Sequence, residues 1–228
     1  VMCAGDDWVC KGATHEYWQC KNATLLDIPE DMGYIDDVND GGWKEDKFPR
    51  DEKLLREELR QDPTNERAVF YLANTLMCER KKEEAQLAYR RRLAMGGWFQ
   101  ELYMSCYMLA KLAMPDLPEA ELWVQRAAEH DPERSDANLW FARELRLKGD
   151  FLRAWVYLAK CSTTTAPEQK LFLEVKAYEA QTLAYERSIC QYYVSPDRAE
   201  GLRLCLEARD SSNLHWYAQQ LEATERRQ

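Results

Sequence analysis

Beyond Pro49 the apolar residues of this chain return every three or four positions, and the interruptions are helix breakers. In "RDEKLLREELRQDP", Leu54, Leu55 and Leu59 fall on one face of a helix, and Asp62-Pro63 ends it, because proline disfavours helical geometry in the residue before it. "TNERAVFYLANTLMCER" follows with Thr64 or Asn65 as its cap and Val69, Tyr71, Leu72 and Leu76 on its apolar side. "KKEEAQLAYRRRLAMGG" makes its antiparallel partner, closed by Gly96-Gly97. The pair forms a helical hairpin.

The hairpin recurs along the chain. Ala85 in "EEAQLAY", Ala120 in "PEAELWV" and Ala154 in "LRAWVYL" hold the same place in successive second helices, at intervals of 35 and 34 residues. Tyr71-Leu72-Ala73, Met108-Leu109-Ala110 and Trp140-Phe141-Ala142 mark the first helices, and Asp-Pro pairs at 62 and 131 stand two such periods apart. A small residue at each close crossing, aromatics one turn away and proline at the boundaries resemble the tetratricopeptide repeat over about Thr64 to Cys161, although the W-x-x-L-G-x-x-Y signature is absent. Further helices are expected over Glu168–Tyr193, Asp197–Ala208 and Ser212–Arg226, extending the stack. The expected fold class is mainly α, a tetratricopeptide-like helical-hairpin solenoid over residues 50–228.

Residues 1–49 differ in kind. "DDWVCKGATHEYWQC" carries β-forming residues for a short strand or two, too few to bury a core alone, so they must pack on the helices or on something else. The polar run "GYIDDVNDGGWKEDKFPRDEKLL" then leads into the first helix with Trp43 and Phe48 among its charges. The ordered succession "WVCKGATHEYW", "DDVNDGGWKEDKFPRDEKLL" and "AYRRRLAMGGWFQELY" resembles the end of an inverting family-two glycosyltransferase running into tetratricopeptide-like repeats. That resemblance implies a partly β or irregular remnant of a GT-A catalytic domain over residues 1–49, with the donor-binding half and its Asp-x-Asp motif lying upstream. It also implies a nucleotide-sugar donor, a glycan or protein acceptor, and a divalent metal, Mn²⁺ or Mg²⁺, offsetting the leaving diphosphate. His15 and Glu16 would then serve the acceptor hydroxyl as catalytic base. Asp37 would help hold the metal, and Lys47 and Arg50 would touch the donor diphosphate. On this expectation the chain is the C-terminal portion of an enzyme, inactive by itself, whose helices aid acceptor binding or oligomerisation.

Composition narrows the choice. A net charge of -9 opposes sequence-independent nucleic-acid binding, and the cluster Arg90-Arg91-Arg92 is too short to reverse it. No apolar run approaches the ~20 residues of a membrane helix, and no secretory leader stands at the front, so a cytoplasmic location is expected. The chain opens "VMCAGDDW" without an initiator methionine, as a trimmed or partial sequence would. Its eight cysteines show no C-x-x-C pair and read as reduced thiols packed as small apolar groups. The alternative to the enzyme is a non-catalytic interaction module that binds a protein or peptide, or a second copy of itself, in a groove. Asn74, Trp98, Tyr103, Tyr107 and Asn138 suit such a groove.

Overall fold

A computed structural model of the protein describes residues 8–14, 16–20, 47–161, 170–174, 180–196 and 198–207. In chain order the elements are β1 (Val9–Lys11), β2 (Tyr17–Gln19), α1 (Lys47–Gln61), α2 (Glu66–Cys78), α3 (Lys82–Met95), α4 (Phe99–Ala113), α5 (Leu117–His130), α6 (Asp136–Leu147), α7 (Phe151–Ala159), α8 (Ala180–Val194) and α9 (Arg198–Glu207). They fall into two compact units, Val1–Met95 and Gly96–Gln228. The boundary expected at residues 49 and 50 lies inside the first unit.

In the first unit β1 and β2 pair antiparallel with Cys10 opposite Trp18. Helix α1 begins at Lys47, ahead of Pro49, and a proline in the first turn costs nothing because its missing N–H would have no intrahelical partner there. Leu55 and Leu59 are buried along it, whereas Leu54, expected on the same face, is exposed. Asn65 caps α2, accepting a hydrogen bond from the Ala68 N–H at 3.0 Å. Helices α2 and α3 form the expected hairpin, with Ala85 fully buried and the Tyr89 hydroxyl donating to Asn74 at 2.7 Å.

The turn between α2 and α3 is a Schellman motif: the Lys81 N–H donates to the Leu76 carbonyl and the Arg80 N–H to the Met77 carbonyl. The α6–α7 turn of the second unit repeats it, with the Asp150 and Gly149 N–H groups donating to the Leu145 and Arg146 carbonyls. Both turns need a left-handed residue, and Arg80 (φ 61°) and Gly149 (φ 81°) supply it.

The second unit holds the hairpins α4–α5 and α6–α7, followed by α8 and α9. Ala120 and Ala154 are fully buried, and Phe141 of α6 meets Tyr157 of α7 edge-on with ring centroids 4.9 Å apart. Asp116 and Asp150 cap α5 and α7. The helix expected from Glu168 is corrected: residues 170–174 are non-helical, and α8 is described from Ala180. Within 212–226 nothing is described. The buried thiols of Cys106, Cys161 and Cys190 match the packed expectation, and burial pushes each up to about 12; Cys10 and Cys78 are instead exposed. Among the described residues no helix is long and apolar enough to cross a membrane.

Candidate functional site

Of the residues expected to carry catalysis and donor binding, Glu16, Lys47 and Arg50 are described. His15 and Asp37 lie outside the described residues. Glu16 is exposed just ahead of β2, and Lys47 and Arg50 lie in the first turn of α1, where Arg50 stands 3.6 Å from Asp51. A cavity of about 450 Å³ does open between the β-hairpin and helices α1 and α2, but Glu16, Lys47 and Arg50 are not among its lining residues. Both its carboxylates are engaged: Glu58 accepts from the Ala13 N–H at 3.0 Å and from the Asn65 side-chain amide at 2.9 Å, and Asp62 accepts from the Thr64 N–H at 3.0 Å and the Thr64 hydroxyl at 2.6 Å. The Arg67 guanidinium carbon sits 4.8 Å from both the Tyr17 and the Tyr71 ring centroids. These groups fasten the hairpin to the helices, which is how so short a β segment finds its packing partner. Among the described residues no three His, Cys, Asp or Glu side chains are grouped to hold a metal ion.

A second constellation lies wholly within the second unit, where first helices α4 and α6 meet residues 170–174. Gln100, at the start of α4, accepts the Leu171 N–H at 2.6 Å. Arg134, just ahead of α6, donates to the Leu171 carbonyl at 2.8 Å and reaches the Phe172 carbonyl at 3.5 Å. The first residue of α6, Asp136, accepts the Glu174 N–H at 3.3 Å. Three side chains, from α4, from α6 and from the residues just ahead of α6, thus bind four main-chain groups of one short segment. Such contacts hold a backbone without reading its side chains.

Burial makes these receptors rigid. Arg134 and Asp136 are both buried and paired with each other, so neither is an uncompensated charge. The Arg134 guanidinium also lies 4.2 Å from the Tyr103 ring centroid, and the Tyr103 hydroxyl accepts the Ala137 N–H at 3.0 Å. Tyr103 therefore orients both the arginine and the start of α6.

The two ends of the segment are held through their side chains. Lys170 contacts Asp131 at 2.9 Å and Glu133 at 3.4 Å. Burial alone would lower the Lys170 ammonium pKa, but the Asp131 and Glu133 carboxylates outweigh it and raise it. At the other end Glu174 accepts from the Tyr107 hydroxyl at 3.0 Å and from Lys111 at 2.9 Å. Burial, reinforced by the Glu174 carboxylate, pushes the Tyr107 hydroxyl well above the ordinary tyrosine range and keeps it a donor.

Of the groove residues chosen from the sequence, Tyr103 and Tyr107 belong to this site. Asn74 serves Tyr89 in the first unit, Trp98 is exposed at the N-terminus of α4, and Asn138 is buried on α6. Gln100, Lys111, Arg134 and Asp136 went unrecognised. The one local signal was a buried-type Arg-x-Asp at a helix start, where an aspartate alone reads as an ordinary cap.

No protein-family model matches the chain, and no curated protein matches it. Solved structures do. A crystal structure of YrrB, described as a TPR protein with an unusual peptide-binding site, aligns with a TM-score of 0.54 at 18% identity over 77% of this chain and 84% of its own. A crystal structure of MamA aligns with a TM-score of 0.55 at 13% identity over 84% of this chain and 99% of its own. The fold is therefore the tetratricopeptide-like helical fold expected from the alanine spacing. The expectation of a glycosyltransferase is corrected: the likeness extending over most of the chain is to tetratricopeptide-type structures, and the comparisons offer no support for a nucleotide-sugar site. The physical reason is that the glycosyltransferase resemblance rested on short local strings, whereas the helical packing involves most of the chain.

Proposed function

We propose that this chain is a non-catalytic protein-interaction module that binds a peptide segment of a partner protein between α4 and α6. The observation that carries the reading is the capture of main-chain groups at residues 171–174 by Gln100, Arg134 and Asp136. A side chain aimed at a backbone N–H or C=O serves any segment of the right shape, which is the economy peptide-binding domains exploit. The peptide-binding site named for YrrB, on a similar fold, supports the same class of ligand.

The test is a selection of random 12-residue peptides against a chain in which the resident segment is loosened by Lys170→Ser and Glu174→Ser. Peptides should be recovered whose binding drops by about tenfold or more on Gln100→Ala, one hydrogen bond to a desolvated partner being worth about that much. Recovery of none that depends on Gln100 would refute the module.

A further inference from the structure

Resting on the module reading, we infer that the α4–α6 groove selects a segment carrying a lysine and, four residues later, a carboxylate, and that residues 170–174 are a resident competitor for that partner. The groove is bipolar. Asp131 and Glu133 make an acidic end that takes the Lys170 ammonium, and Lys111 with the Tyr107 hydroxyl makes a donor end that takes the Glu174 carboxylate. Between the ends recognition is through the main chain, so the charged ends carry the specificity and fix the direction in which a segment lies. A reversed charge order would set carboxylate against Asp131 and ammonium against Lys111.

The resident segment is built to be displaced. Phe172 at its centre has φ 48° and is 50% exposed, so it occupies a left-handed backbone state that a bulky residue adopts only under constraint, with half of its surface in solvent. The Glu174 side chain is also about half exposed, which weakens its ion pair with Lys111. A partner with glycine at the central position avoids the backbone strain and makes the same main-chain bonds. The segment therefore lowers the apparent affinity for partners by the fraction of time it fills the groove.

The experiment uses the synthetic peptide EQKLFLEVK, the charge-exchanged EQELFLKVK and the glycine form EQKLGLEVK, titrated by fluorescence polarisation against the wild-type chain and the Lys170→Ser/Glu174→Ser chain. EQKLFLEVK should bind the loosened chain about tenfold or more tightly than the wild type. The charge-exchanged peptide should bind it about tenfold more weakly than EQKLFLEVK, and the glycine form several-fold more tightly. Hydrogen exchange on the wild-type chain provides a reading that needs no substitution: excess EQKLGLEVK should remove protection from the Leu171 and Glu174 amides. Equal binding of the two charge orders, or amides that stay protected while the peptide is bound, would overturn the inference. Random peptides that need Gln100 but no lysine and carboxylate would sink it while leaving the module intact; a selection without any Gln100-dependent binder would sink both. A dimer lost on Gln100→Ala, with no peptide binding, would overturn it in favour of segment exchange between two copies.

Discussion

Arg146 on α6 donates its Nε to Glu186 on α8 at 2.5 Å, and Glu186 is 1% exposed. Arg143, one turn earlier on α6, donates to the other carboxylate oxygen at 3.0 Å from a half-exposed position. This pairing ties the last described helices to the α6–α7 hairpin. Removing Arg146, the better shielded partner, leaves the buried carboxylate to a half-exposed arginine alone, whereas removing Arg143 leaves the better shielded pair in place. Arg146→Met should therefore cost about 3 kcal/mol, and Arg143→Met about 1 kcal/mol or less. Urea unfolding of the two variants checks it; equal losses would contradict the geometry.

Ala85, Ala120 and Ala154 are each fully buried on the second helix of a hairpin. Leucine at any of them adds three heavy atoms where no space exists, so each variant should lose ~1–3 kcal/mol. Unchanged melting temperatures in all three would count against close packing at these positions.

Arg80 holds the left-handed position that Gly149 holds in the matching turn, and its side chain makes no hydrogen bond or ion pair among the described residues. Arg80→Gly should raise stability by up to ~1 kcal/mol, because glycine enters that region without a Cβ penalty. Gly149→Ala should do the reverse through backbone conformation alone, since a Cβ there would meet nothing within 4 Å. A loss of stability in Arg80→Gly, measured by thermal melts, would mean the side chain contributes more than its turn geometry costs.

Glu52 on α1 responds to two opposed effects: burial would raise its pKa, but hydrogen bonds from Lys81 and Arg56 outweigh it and bring it down from 4.5 to about 2. A carboxylate depressed in the folded state stabilises it above the unfolded pKa, and that contribution fades as pH falls through the folded value. The chain should thus lose stability progressively from pH 4.5 towards 2, and Glu52→Gln should flatten this part of the profile. A variant with an acid limb as steep as the wild type's would show that other carboxylates govern it.

Local patterns carried the helices. The Asp-Pro stops, the Asn65 cap, the closing glycines and the alanine period act between residues a few positions apart, so they survive in a single sequence as periodicity and punctuation. The hairpins and their buried alanines followed from those signals. The same locality misled at the N-terminal end, where "HEYW" and "DKFPRD" matched short strings of an enzyme while the structure uses the surrounding hairpin as a piece packed on α1 and α2 through Glu58 and Arg67.

What only the tertiary structure decided depends on partners far apart in the chain. Residues 170–174 carry helix-forming side chains, yet Gln100, Arg134 and Asp136, separated from them by 37 to 71 positions, hold their backbone in a non-helical course. Likewise, no periodicity could place Arg146 against Glu186, 40 positions on. Propensity is worth tenths of a kcal/mol per residue, and several desolvated hydrogen bonds to the main chain together exceed it. The helices of this protein were therefore written in its local spacing, while the contacts that hold residues 170–174 came into being only when those helices packed.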